Sequence, residues 1–473
     1  MTSSLYFENQ LHFIQNKTLF FIVVYLYLQF NDITENMIIK FSVQNFGPIK
    51  EKQTLSFEAD SSDHLENNYV VKTGKLRLLK LGLIYGANAS GKTTILKALN
   101  FLRNLVLLPA SQKTETLDFK PYLFDPKTLG KNTVLSIEFL EKGTHYFYVV
   151  EINTECILRE ELYYYPHKVN VFKRTTDVNK KLTSVIFGSK IKISKDAVNA
   201  LASNTLWNNT ILGGSLKTNI DQKEIKDVTD WFGQHLRQTI TPNTNLTDYA
   251  TKMISWAKID KNVILNILKK ADLDISDILI KTEERDLPKD FIDFIEANSD
   301  ISKDNVELLR NIQKITSFDL KLKHTVNNYS HELPFNEESI GTQRYYGFAS
   351  LLYMLINEES IVIPIDELES SLHPDLLTHF LLSFIVNSKQ SQLIATTHYR
   401  ELLNNRDLFR NDAIWFTDKS ETSATELYSL ADFDSSIIRN TNNILNAYKA
   451  GKLGGIPNLG DYYIDSEHEE KQK

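Results

Sequence analysis

The feature that most constrains this chain is the run Gly86-Ala87-Asn88-Ala89-Ser90-Gly91-Lys92-Thr93, followed by Thr94. It fits the spacing G-x-x-x-x-G-K-[ST]. Leu79 to Tyr85, just before it, is a short apolar strand. Behind it, Ile95, Leu99, Leu102 and Val106 recur at helical spacing. A strand, a glycine loop and a helix start in that order let backbone N–H groups close around phosphate oxygens, with the helix's positive end aimed at them. Lys92 would neutralise the outer phosphates, and the Thr93 hydroxyl would ligate Mg2+. A tight turn is the bland alternative, and the strand–helix context argues against it.

Ile361 to Ile365 is a second apolar strand, and Asp366-Glu367 emerges at its carboxyl end, where open α/β sheets bind ligands. There Asp366 would hold Mg2+, directly or through water, and Glu367 would serve as general base. The competing reading is a pair of acids capping a helix start. Pro364 cannot donate to a ladder, so its ring is expected at a bulge. Glu338-Ser339-Ile340-Gly341-Thr342-Gln343-Arg344 offers a hydroxyl and unhindered N–H groups to an anion, or an ordinary helix cap. Glu369-Ser370-Ser371-Leu372-His373-Pro374 follows the acids, and Thr396-Thr397-His398 ends the next strand with an imidazole.

At 473 residues the chain exceeds one ordinary core, so an interrupted domain or two domains are expected. A hydrophobic content of 42% with 24% charged residues excludes a disordered, collagen-like or multi-span membrane chain. A net charge of −7 gives no chain-wide basic field, so nucleic-acid binding would need a local patch. One cysteine, Cys156, supplies neither an internal disulfide nor a thiolate-rich metal site, which points to a cytoplasmic protein. The apolar stretch Leu19 to Phe30 spans only ~18 Å as a helix, short of a bilayer. Residues 1–36 are therefore expected to be an extension outside the fold, with an interfacial anchor as the alternative, and no stable membrane span.

Alternation of Ile39, Phe41 and Val43 against Lys40, Ser42 and Gln44 opens a hairpin at a sheet edge. An antiparallel meander runs from Thr133 to Pro166, and strand-like pieces continue to about Ile193. Lysines between Lys168 and Lys195 form a solvated hairpin face or a nucleic-acid contact. Residues 197–315 are mainly helical, with a short strand at Ile275 to Ile280; Phe318, Leu320 and Leu322 return to alternation. The divisions expected are 1–36; 37–155, an N-terminal lobe; 156–317, an insertion of strands and then helices; and 318–473, a C-terminal lobe. A parallel sheet with crossover helices makes the class α/β.

This order of motifs resembles the ABC-type P-loop ATPases of the SMC/RecF branch: a Walker A loop, an S-x-G-[TS]-Q-like signature, a Walker B strand ending in Asp-Glu, an E-x-x-L-H-P loop and a Thr-His switch. Met37 to Lys50 resembles that branch's opening strand and N-F-x-x-I turn. The large insertion and the ending Tyr448 to Pro457 resemble the bacterial anti-phage ATPases of the AriA, RloA and AbiL kind. The resemblance covers about residues 37–125 and 318–460. It implies an ATP- and Mg2+-dependent ATPase head with an antiparallel β-subdomain and a mainly helical insertion. It also implies a homodimer or higher oligomer in which Ser339, Gly341, Thr342 and Gln343 of one chain cap nucleotide held by the other, while His398 senses the γ-phosphate. A separately encoded effector would be the natural partner. The chain departs from the pattern at Glu338, where the family has leucine, and no glutamine stands out after the first helix. A DNA-repair or chromosome-maintenance ATPase binding DNA directly is the alternative, although the insertion carries no sustained heptads.

Overall fold

The structure is a computed structural model that describes residues 35–286, 314–358, 360–405, 408–433 and 444–457. The expectation for residues 1–36 falls almost wholly outside these. Glu35 and Asn36 already engage the fold: Glu35 accepts from the Thr73 hydroxyl, and the Asn36 N–H donates to Ser360 Oγ at 2.8 Å.

The chain begins with β1 (Ile38–Gln44), β2 (Gln53–Ser56), a small hairpin of β3 (Val70–Thr73) and β4 (Leu76–Leu79), and then β5 (Leu81–Gly86). Helix α1 (Lys92–Leu107) follows the glycine loop. Then come β6 (Thr133–Glu141), β7 (Thr144–Ile152), β8 (Ile157–Tyr164), β9 (Val169–Asp177) and β10 (Leu182–Phe187). The longer helices that succeed them are α2 (Lys195–Asn204), α3 (Lys223–Asp230), α4 (Leu246–Ser255) and α5 (Lys261–Lys270). Strands β11 (Asp277–Asp286), β12 (Lys314–Val326) and β13 (Tyr329–Pro334) precede α6 (Ile340–Asn357). The last part runs β14 (Val362–Ile365), α7 (Pro374–Asn387), β15 (Gln392–Thr396), β16 (Ile414–Lys419), β17 (Thr425–Ser429) and α8 (Ile444–Lys449).

Two sheets organise these elements. A five-stranded sheet has the order β14-β15-β5-β16-β17, parallel except for β17. Its strands β5, β14 and β15 are buried throughout, as strands covered on both faces must be. The seven-stranded antiparallel sheet has the order β10-β9-β8-β7-β6-β1-β2. It continues across the boundary expected at 155/156, because β7 and β8 pair from Tyr146–Tyr164 to Ile152–Ile157. Likewise β12 spans 317/318 and pairs with β11 in a ten-residue ladder. Of the stretch 197–315 expected to be mainly helical, residues 287–313 lie outside the described residues.

Two local differences have physical causes. Ile39 does not share a core with Phe41 and Val43. A register shift between Ile38 and Lys40 sends Ile38 to the main core and Ile39 to a small cluster with Met37, Leu78 and Leu140. Pro364 lies at the outer edge of β14. Residues 236–240 run alongside, and there the Arg237 and Ile240 N–H groups donate to the Val362 and Pro364 carbonyls. Three residues of that segment advance against two of β14, so the irregularity is in the partner. The missing proline donor falls on that side rather than in the ladder with β15.

One buried amide ties the sheets together. Gln392, wholly buried, accepts from the Ile38 N–H at 2.6 Å and donates to the carbonyls of Ile38 (3.0 Å) and Leu79 (2.9 Å). Replacing it with leucine would strand three backbone groups, each worth about 1 kcal/mol or more when buried and unpaired. Gln392→Leu should therefore lower unfolding stability by about 3 kcal/mol. Chemical denaturation followed by fluorescence would measure it, and a loss under about 1 kcal/mol would contradict the clamp.

Candidate functional site

The glycine loop is shaped from below by the strands beside it. Gly86 and Gly91 have φ of 155° and 107°, values that strain any side chain. A Cβ at Gly86 would overlap Thr417 and one at Gly91 would overlap Thr425, so packing as well as dihedral angle demands glycine. Those threonines also bond to Ser90: its hydroxyl lies 2.6 Å from the Thr417 hydroxyl, and the Thr425 hydroxyl donates to its carbonyl at 2.8 Å. The N–H groups of Asn88, Ala89 and Gly91 find no protein acceptor among the described residues. Gly91 caps α1 without a side chain, which leaves that helix end open to an anion.

Lys92 is only 5% exposed and donates to the carbonyls of Gly86 (2.9 Å) and Ala87 (3.0 Å). Burial lowers its pKa, while Glu369, Asp366 and Glu367 oppose that shift. The Thr93 hydroxyl donates to Asp366 Oδ1 at 3.0 Å. The same oxygen receives the Thr396 hydroxyl at 2.6 Å. Thr396 Oγ1 in turn accepts the Glu367 N–H at 2.8 Å. Glu367 itself is exposed and turns the chain at a φ of 51°, a strained value for a non-glycine residue. The His398 N–H donates to Glu369 Oε1 at 2.6 Å, and Glu369 Oε2 is buried with no partner. Partial burial and the Lys92 charge hold the His398 imidazole below its usual pKa, so it is mostly neutral at pH 7.

Thr93 and Asp366 could therefore hold Mg2+, a hard ion that takes oxygen ligands. Among the described residues no group of three or more His, Cys, Asp or Glu side chains could hold a metal by itself. A cation here would complete its shell with water and phosphate oxygens, the usual manner of Mg2+. The donor set fits.

Residues 86–94, Asp366, Glu367 and His398 thus gather around Lys92, whereas Ser339, Gly341, Thr342 and Gln343 do not join them. Ser339 caps α6 by accepting the Thr342 N–H at 3.1 Å, and Gln343 Nε2 donates to the Glu338 carbonyl at 2.9 Å. Glu338, the departure from the signature pattern, receives His324 Nε2 at 2.7 Å. A Cβ on Gly341 would meet nothing closer than 3.8 Å.

Gln238 was not anticipated from sequence. It lines a cleft of about 610 Å3 that Thr93 and Asp366 also line. Its segment is held beside β14 by backbone bonds between residues far apart in the chain. That placement left no local signal to read.

The sequence matches the family described as "AAA domain, putative AbiEii toxin, Type IV TA system" over residues 83–181 and 223–404. The chain belongs to that family. The matched residues include the glycine loop, Gln238, Ser339 to Gln343, the Asp366-Glu367 pair and His398. Membership carries the coarse assignment of a P-loop ATPase domain of the AAA type, with the mixed α/β fold expected. No curated protein matches the chain. Among solved structures, an Smc head bound to the C-winged helix domain of ScpA overlaps with a TM-score of 0.39 at 12% identity, covering 83% of this chain and 97% of that one. The SMC head domain from Thermotoga maritima gives 0.38 at 12%, covering 83% and 98%. An Smc head with an extended coiled coil, bound to the C-terminal domain of ScpA derived from Pyrococcus furiosus, gives 0.35 at 12%, covering 88% and 99%. Overlaps this loose carry no functional argument. No helix among the described residues is long and apolar enough to cross a membrane.

Thr396 is wholly buried, and it orients Asp366 and the Glu367 backbone together. Thr396→Val should raise the Mg2+ concentration needed for nucleotide retention by about 10- to 100-fold, the usual cost of losing a partner behind a metal ligand. A Mg2+ titration of fluorescent-ATP binding would read it, and an unshifted midpoint would contradict that role.

Proposed function

We propose that the chain binds ATP with Mg2+ between the glycine loop and Asp366 and hydrolyses it to ADP and phosphate. The observation that carries this reading is the hydrogen-bonded series Thr93–Asp366–Thr396–Glu367 beside the buried Lys92. Lys92 and the loop N–H groups bind the phosphates, and Thr93 with Asp366 holds the cation. Mg2+ bound there would draw charge from the phosphate oxygens. Glu367 accepts a proton from the water attacking the γ-phosphorus, and ADP leaves. His398, neutral at its ring, lies on the γ-phosphate side, and Gln238 in the adjoining cleft orients water or the cation.

The head is further proposed to close as a homodimer or higher oligomer on ATP, with Ser339, Gly341, Thr342 and Gln343 of one chain capping the site of the other. Supporting this, those residues bond only locally, and Ile340 is 72% exposed. A Cβ at Gly341 would be in ordinary contact, uncrowded, at 3.8 Å from Ser339 Oγ and the Ser371 carbonyl oxygen, so its own packing does not require glycine there. The proposed biological role is gating a separately encoded effector in anti-phage defence, in the cytoplasm. The toxin–antitoxin description of the family and the motif resemblance support it. Direct DNA binding is the less favoured reading. Lys173 and Lys180 are paired with Glu161 and Asp177, Lys168 and Lys181 lie over aromatic rings, and Arg174 is fully buried.

Lys92→Ala should abolish ATP binding, since a phosphate-paired cation in a partly desolvated site is worth several kcal/mol. Glu367→Gln should bind ATP normally but hydrolyse it at least ~100-fold more slowly and accumulate as an ATP-bound dimer. Undiminished binding in the first, or near-normal turnover in the second, would refute the corresponding role.

The dimer is tested by mixing Ser339→Arg with Lys92→Ala. If the signature acts across chains, both defects fall in one composite site and the other is wild type, so activity reappears at up to about half per dimer. The isolated heterodimer of wild type with the double variant should then be inactive, because each of its sites has one defect. The reverse pattern would mean that the signature serves its own chain.

A further inference from the structure

The motif Tyr448 to Pro457 has no part in the chemistry above, yet it lies against the root of the glycine loop. Gly451, Gly454 and Gly455 all have positive φ, of 74°, 64° and 65°. The turn they make is pinned at several points. The Gly455 N–H donates to Asp418 Oδ2 at 2.9 Å, the Tyr448 hydroxyl donates to the Gly455 carbonyl at 2.8 Å, and the Tyr428 hydroxyl donates to the Leu453 carbonyl at 2.9 Å. A Cβ at Gly455 would come within 3.3 Å of the Thr417 carbonyl oxygen and 3.4 Å of Gly86 Cα. Both neighbours are backbone and cannot rotate away.

The same element reaches the histidine loop. Lys449 pairs with Glu401 at 2.9 Å. Glu401 belongs to the short turn Arg400–Asn404, which starts two residues after His398. The Tyr448 ring stacks on Phe416 of β16 at 5.4 Å and meets Tyr85 of β5 edge-on at 6.3 Å.

We propose that residues 444–457 form a positioning strap that fixes the first glycine of the phosphate loop and the loop of His398 relative to each other. The link to chemistry runs through Gly86, whose carbonyl is one of the two that hold Lys92 Nζ. It also runs through Thr417, whose hydroxyl holds Ser90. Displacing Gly86 therefore displaces the lysine. The inference rests on the reading of this site as an ATP pocket, and its test separates the two.

The test compares Gly455→Ala with Gly143→Ala. Gly143, in the turn between β6 and β7, has a φ of 72° and nothing within 4 Å of a Cβ. Both substitutions incur the same left-handed backbone strain, but only the first crowds the phosphate loop. Melting temperature should fall in both variants, and further in Gly455→Ala, where the Cβ also crowds backbone. ATP affinity should weaken by about 10- to 100-fold in Gly455→Ala alone, the scale of a small misplacement in a site. Amide hydrogen exchange of residues 86–94 should quicken in that variant alone. Unchanged affinity and exchange in Gly455→Ala, or equal changes in both variants, would overturn the strap. Should Gly455→Ala fail to fold, Tyr448→Phe removes only the hydroxyl on Gly455 and must still quicken exchange in the loop. Exchange needs no nucleotide, so a wild-type chain that failed to bind ATP would defeat the ATP reading while the strap was still decided.

Discussion

The site depends on one carboxylate oxygen. Asp366 Oδ1 receives hydroxyls from Thr93, at the start of α1, and from Thr396, at the end of β15, while its own strand is β14. Three separate pieces of chain therefore meet at a single acceptor that is almost out of water. A buried carboxylate is costly without donors or a cation. Two neutral hydroxyls meet part of that cost, and the side of Asp366 that opens to the cleft is where a divalent ion would supply the rest.

Charge around Lys92 points the same way. Asp366, Glu367 and Glu369 all act on the lysine, and each favours its charged form. One ammonium against three carboxylates makes a pocket that repels a bare polyphosphate. Binding of ATP on the proposed reading must therefore be coupled to Mg2+, with the open N-terminus of α1 adding a further positive field. The neutral imidazole of His398 fits this balance. It can donate to a phosphate oxygen without having to be desolvated as a cation beside Lys92.

What was legible in the sequence was local. The glycine loop and the strand ending in Asp366-Glu367 are continuous strings whose residue types follow from their own backbone geometry, and their juxtaposition follows once β5 and β14 join one parallel sheet. What was not legible depends on partners distant in sequence. Thr417 and Thr425 shape the loop from more than three hundred residues away, and nothing about an isolated threonine on a strand announces that. Gln238 escaped notice for the same reason: its short segment becomes strand-like only by bonding to the edge of β14. The strict alternation read for β1 failed at one point because a register shift is a property of the β1–β6 pair, not of either strand alone.

The glycines separate the two halves of the proposed composite site. At Gly86 and Gly91 the chain's own threonines occupy the space a side chain would take, so glycine is explained by folding alone. At Gly347 in α6, a Cβ would crowd Leu246 at the start of α4, again an intramolecular reason. At Gly341 no such crowding exists: a Cβ would make only ordinary contact, at 3.8 Å, with Ser339 Oγ and the Ser371 carbonyl oxygen. Glycine also gives up more backbone freedom than alanine on entering a helix. A residue that costs stability and answers no packing demand within its chain points to a demand from outside it. A phosphate brought up to the Ser339 end of α6 by a second chain would meet that demand, because only glycine lets the anion approach the backbone N–H groups closely.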